Sequence, residues 1–376
     1  ITLDNGMNPT ALGSTQSEDR QQALIVNRYS PDGTLQWNQT FPGYRHLTIG
    51  IDSHLNTDTE NNTFVSGLAD SDNLSPVFLA KINPNGEVLW QQELDTGHVV
   101  LPHDVAVDGN GNYLLLADGV RAFASADGTP LWHYGGKASC EETICDPEID
   151  LDDYPYRRSS ASLFALLELS VLDNGNIIAN FGDSLHLLDT DGTLLRELQA
   201  VELGLARFDS LKDNGEKAVT LGSTNNQLSA FLLDENLNYQ PILSFDSASG
   251  GIVSINNNAF ICLAVLDGEQ LNVHTIHGAE SNLFSATISD TLTEPVAINT
   301  NNRNECYVSL FEQTERVYLR TRVINQKGRL KDTITINDFA AEAVMVNDRI
   351  VYSAGITGSY ETTEGTRGTL FKHQVR

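Results

Sequence analysis

Apolar and polar residues alternate along this chain in short runs of four to eight, the period of strands with one buried face. Between the runs stand Gly, Asn, Asp and Pro, the residues that close tight turns. Leu24–Phe41 reads "LIVNRYSPDGTLQWNQTF" and Phe78–Leu94 reads "FLAKINPNGEVLWQQEL". Both run from an apolar strand through Pro-Asp-Gly or Pro-Asn-Gly into a strand carrying Trp37 or Trp90. The same hairpin returns as "AFASADGTPLWHYGG" from Ala122, "LHLLDTDGTLLREL" from Leu185 and "YLRTRVINQKGRLKDTITI" from Tyr318, with weaker copies at Ala230 and Leu271. A second hairpin precedes each one, for example "DVAVDGNGNYLLLADG" from Asp104 and "LSVLDNGNIIANFGD" from Leu169.

Each unit is therefore four short strands, a to d, and its turn glycines Gly33, Gly86, Gly128, Gly192, Gly278 and Gly328 mostly recur at roughly 40 to 65 residues. Four-stranded units at that period, with no amphipathic helix between them, predict an all-β fold: a single β-propeller over residues 1–376. Counting gives eight four-stranded blades, with seven as the alternative if the termini combine differently. The last unit, from near Ala341, shows three strands only. Trp37, Trp90 and Trp132 are expected to be core or docking residues.

Charge narrows the partners. The 376 residues carry 23 Lys+Arg against 50 Asp+Glu, a net charge of −27. Such a field repels phosphate backbones and anionic lipid, so nucleic acid is not expected as a partner. No apolar run reaches the roughly 20 residues of a membrane span. The chain begins at Ile1, which is read as the product of a removed leader, with a lipid anchor upstream as one form of it, and hence as an exported protein of the periplasm or cell surface of a bacterium. Cys140 and Cys145 close the loop "CEETIC" and are expected to form a disulfide; Cys262 and Cys306 sit in apolar strands and read as buried thiols.

Two regions exceed what the repeat requires. The first is Pro102-His103-Asp104, ahead of an ordinary a–b hairpin. Aligning the units on their a–b turns puts Leu167, Arg207, Gly251, Glu294 and Glu342 at the position of His103, and Glu168, Phe208, Ile252, Pro295 and Ala343 at that of Asp104, with His46 near the same register. A channel rim of His46, His103, Asp104, Glu168, Arg207, Glu294 and Glu342 follows. Two imidazoles and a carboxylate suffice for zinc, whereas a solvated channel mouth is the plainer reading. The second is an inter-blade insertion at about 136–162, gathering Asp146, Glu148, Asp150, Asp152 and Asp153 as candidate Ca²⁺ ligands, or as a docking surface with Tyr154 and Tyr156.

The c–d hairpins, "FASADGTPLWHYGG" above all, resemble the PQQ-like propeller repeat. The resemblance implies a propeller of that family, which includes quinoprotein dehydrogenases and periplasmic scaffolds of outer-membrane assembly. The dehydrogenases' adjacent-cysteine disulfide has no counterpart here, so PQQ is not expected, and no other cofactor is called for beyond Ca²⁺ or Zn²⁺. "PHDVAVDGNGN" from Pro102 is similar to the NHL-type propeller signature and to His-Asp segments of bacterial arylsulfotransferases. The expectation is a monomeric, non-catalytic propeller that binds a protein or small ligand through its acidic face, rim or insertion. The alternative is a rim enzyme, a metal-dependent lyase or hydrolase or a sulfotransferase-like transferase. There His103 would be ligand or general base, supported by Asp104, His46 and Glu168, with Arg207 holding an anion.

Overall fold

The computed structural model describes residues 1–16, 22–45, 55–69, 76–94, 102–117, 119–135, 167–224, 227–246, 248–267, 270–277, 284–289, 294–313, 317–337, 339–347, 350–357 and 367–375. They form eight antiparallel sheets in chain order, the blades of a β-propeller. Blade 3 shows the plan: Asp104–Val107, Tyr113–Leu116, Val120–Phe123 and Pro130–Tyr134, each strand pairing with the next. In blade 2 the first-strand position is divided between Tyr44–Arg45 and Leu55–Thr57. Blade 8 has three strands, Phe339–Asn347, Ile350–Thr357 and Arg367–Gln374, as the sequence suggested. From blade 1 to blade 8, the first strand of each sheet packs on the first strand of the one before. Lys372 of blade 8 donates to the Pro31 carbonyl of blade 1, which brings the last unit back to the first.

The turns explain why the strands end where they do. In the a–b turn of blade 3, Asp108 Oδ1 accepts from the backbone N–H of Asn110 and Asn112, and Gly111 takes a left-handed backbone (φ +78°). An acceptor side chain opens the turn and a left-handed residue stands three places on, where glycine is relaxed and other residues are strained. Met7, Asn61, Leu237, Ala259 and Asn304, all with positive φ, occupy that same place in other turns. A turn of this design survives loss of its glycine because the Asx bonds hold it.

Burial sits between blades. Phe64 of blade 2 stacks on Tyr113 of blade 3 (ring centroids 5.2 Å) amid Leu68, Leu79, Val105 and Leu115. Similar clusters join blade 3 to 4 and blade 6 to 7. Each blade alone leaves an apolar face to water, so the blades fold by stacking.

The cysteines correct one expectation. Cys262 and Cys306, read as buried thiols, are joined in a disulfide between the second strands of blades 6 and 7. Strand packing sets their Cα atoms 5.9 Å apart, a distance that a disulfide bridges. Cys140 and Cys145, like the rest of the 136–162 insertion and its carboxylates, lie outside the described residues.

Candidate functional site

Four consecutive first strands frame the candidate site. Asn56, Asp104, Val105, Leu169, Lys212 and Asp213 from blades 2 to 5 are among the residues lining a cavity of about 250 Å³. Three side chains there reach across to the next blade's backbone. Asn56 Nδ2 donates to the Val105 carbonyl at 3.2 Å. Asp104 Oδ2 accepts from the Leu169 N–H at 2.9 Å, and its Oδ1 from the Val105 N–H at 2.8 Å. Glu168 Oε2 accepts from the Leu211 N–H, while its Oε1 holds the Lys212 ammonium at 2.5 Å. At three successive seams an inner-strand polar side chain thus ties down the following strand, Asn56 as donor and Asp104 and Glu168 as acceptors.

These contacts set the electrostatics. Asp104 is only 7% exposed. Burial pushes its carboxyl up to about 7, against the pull of Lys212 and the Leu169 N–H and with help from the Glu168 charge. Burial pulls the Lys212 ammonium down, but Glu168, Asp104 and Asp213 outweigh it and hold the group above its ordinary value. Lys212 is therefore a fixed cation, unsuited to act as base or nucleophile. Its side chain stays 49% exposed, so it is the charged group most open to water in this network.

Burial holds His103 down at about 4, so its ring is neutral at physiological pH. The imidazole has no hydrogen-bond partner among the described residues, while its backbone N–H donates to the Leu116 carbonyl. Arg207 donates from Nε to Asp209 Oδ1 at 2.7 Å, on its own strand. Among the described residues, no three His, Cys, Asp or Glu gather as metal ligands.

The sequence alignment needs a shift in two blades. The a–b turn opens at Asn214 in blade 5 and at Asn301 in blade 7, where Asp108 opens it in blade 3, two residues later than the sequence alignment put it. Counting back from the turns, Ser210 and Ala297 occupy the position of Asp104 in blades 5 and 7, where Phe208 and Pro295 were placed. Glu168 does share Asp104's position and its task, and Ile252 stands there in blade 6. Glu294 begins the first strand of blade 7 and Glu342 lies in that of blade 8; their side chains, and His46, lie outside the described residues. Lys212 was missed because the shifted register hid that it faces Glu168.

No protein-family model and no curated protein matches this chain. Solved structures do. BamB from Moraxella catarrhalis aligns with a TM-score of 0.58 at 11% identity over 92% of this chain and 96% of that one. A chain in the crystal structure of a mitotic checkpoint complex aligns with a TM-score of 0.55 at 13% identity, covering 89% of each. At such identities the likeness shows the architecture alone: this chain is a β-propeller.

Proposed function

We propose that the chain is a non-catalytic, exported propeller of the PQQ-like repeat type whose acidic surface receives a protein partner of basic charge. One observation carries the reading. The rim carboxylates that a catalyst would need, Asp104 and Glu168, are engaged in holding the next blade. Their geometry serves the scaffold, and the outward acid that remains, within a net charge of −27, serves attraction. The Cys262–Cys306 disulfide suits an oxidising compartment, which supports export. Partner contact through the rim or through the 136–162 insertion is part of the proposal.

The test is affinity capture with the purified chain across a salt series, repeated with residues 136–162 deleted. Capture of a basic protein, released between about 0.1 and 0.5 M salt, is the expected result. A partner whose retention ignores salt would overturn the electrostatic reading. Unchanged capture by the deleted form would remove the insertion from it. Stoichiometric metal in protein purified without added metal, lost in His103→Ala, would replace the scaffold with a rim enzyme.

A further inference from the structure

Exposed apolar side chains are not scattered over this molecule. Among the described residues ten large ones stand open to water, and nine of them are the first or second residue of a blade's fourth strand; Val201 is the tenth. Single exposed apolar residues are ordinary, whereas a set held at one position of a repeat forms a surface.

Packing joins these positions across blades 1 to 4. Trp37 covers Gly86 in the c–d turn of blade 2, Trp90 covers Gly128 in blade 3 and Trp132 covers Gly192 in blade 4, where a Cβ would fall 2.5 to 2.9 Å from the indole. Each indole N–H also donates to the turn it covers, at the carbonyls of Pro84, Ser125 and Thr190, at 3.0 to 3.1 Å. The start of one fourth strand is thereby held beside the c–d turn of the next blade. Leu35, Leu89, Leu131 and Leu195, each 49% to 52% exposed, follow one another in a band with the chain's three tryptophans at its seams.

Every turn of the band adds an exposed carboxylate: Asp32, Glu87, Asp127 and Asp191. No Lys or Arg stands in the turn segments Ser30–Leu35, Asn83–Leu89, Ala124–Leu131 or Asp189–Leu195. The Ser30 hydroxyl and Thr34 hold the Asp32 carboxyl below its ordinary value, and Thr129 does the same for Asp127, so both charges persist into mild acid. Cations mark the two ends: Lys372 of blade 8 donates to the Pro31 carbonyl, and Arg196 of blade 4 to the Asn236 carbonyl of blade 5. Blade 7 has the leucine without the acid. Leu330 is as exposed as the other four, but its turn carries Lys327 and Arg329.

We propose that the band over blades 1 to 4 is a docking surface for a segment of a partner protein that sets Lys or Arg beside apolar side chains. The proposal rests on the acidic-surface reading above and gives it a place and a second, apolar component. The leucines bury against the partner's apolar residues while the turn carboxylates meet its cations and fix its register. Anionic lipid is repelled by these same carboxylates. A second copy docked band to band would set acid against acid, which is unfavourable for the same reason.

A labelled peptide of alternating Lys and Leu, and one of alternating Lys and Ser, test the proposal on the full chain by fluorescence anisotropy. The Lys–Leu peptide is expected to bind about tenfold more tightly, because half of each band leucine is still open to burial. Neither peptide contains tryptophan, so unlabelled Lys–Leu peptide is expected to change the emission of Trp37, Trp90 and Trp132 as it covers their seams. Leu89→Ser with Leu131→Ser is expected to abolish the advantage of the Lys–Leu peptide and to leave the Lys–Ser affinity unchanged. Leu330→Ser, the matched change in blade 7, is expected to alter neither. Asp127→Asn with Asp191→Asn, which keeps the side-chain shapes, is expected to weaken both peptides. Binding with no change in tryptophan emission, or a loss from Leu330→Ser as large as from the band variant, would overturn the proposal. Equal, salt-sensitive affinity for the two peptides would also overturn it and leave the acidic-surface reading standing. Absence of binding by either peptide would overturn it too, and the capture experiment above then judges the acidic-surface reading by itself.

Discussion

Asp104 carries a charge that its surroundings disfavour. Its carboxylate bonds the N–H groups of Val105 and Leu169 across the blade 3–4 seam, and burial lifts its pKa from an ordinary 3.8 to about 7. A folded-state pKa above the unfolded one means the folded chain binds the proton more tightly. The contribution to stability is then full below pH 4 and is lost as pH rises toward 7. Asp104→Asn keeps an acceptor for Leu169 and removes the charge. Its stability relative to the wild type is expected to improve by about 1–3 kcal/mol between pH 5 and pH 8, read by urea unfolding at both. An unchanged difference between the two proteins at those pH values would show that Asp104 is ionised without penalty. The same residue shows how far the sequence could be read. Pro102-His103-Asp104 stood out from the repeat, and Asp104's partners are backbone N–H groups, that of Val105 on its own strand and that of Leu169 in blade 4. A backbone N–H has no signature in a sequence, so the fastening across the blade 3–4 seam could not be read from the motif.

Elements were legible wherever their cause was local. Turn residues and strand alternation lie within a few positions of each other, so the a–b and c–d hairpins and the three-stranded last unit could be read directly. Register needed the turns' own geometry. In blades 5 and 7 the a–b turns open at Asn214 and Asn301, two residues later than the alignment put them, which takes Arg207 and Glu294 off the position of His103. The Cys262–Cys306 bridge is the clearest case, because its partners are 44 residues apart and meet only when blade 7 packs on blade 6. A cross-link of that span removes conformations from the unfolded chain, worth about 2–4 kcal/mol. Reductant is therefore expected to lower the wild type's urea midpoint, while the double variant Cys262→Ala with Cys306→Ala, already at the lower value, stays put. A wild-type midpoint that ignores reductant added to the unfolded chain before refolding would show that the bridge contributes nothing.

Across the whole molecule, two kinds of electrostatics oppose each other. Some charges are paired and dry: within blade 2, Lys81 meets Asp58 at 3.3 Å with side chains 4% and 3% exposed, and its ammonium lies 4.9 Å from the centre of the Phe64 ring. Such pairs are screened little by salt. Over the chain as a whole, 50 acidic residues against 23 basic ones repel each other, and this repulsion is relieved as the chain expands. Screening acts on the second and spares the first. The melting temperature is therefore expected to rise by several degrees between about 50 and 500 mM NaCl, where the Debye length falls from roughly 14 to 4 Å. A fall over the same range would mean that exposed ion pairs, such as Lys212–Glu168 with its half-open lysine, contribute more to the ring than the net charge removes. Measuring Lys212→Met in the same series separates the terms. If net charge dominates, its salt slope matches or exceeds the wild type's, because one cation has been lost. If the exposed pairs dominate, the variant's melting temperature falls less with salt than the wild type's does.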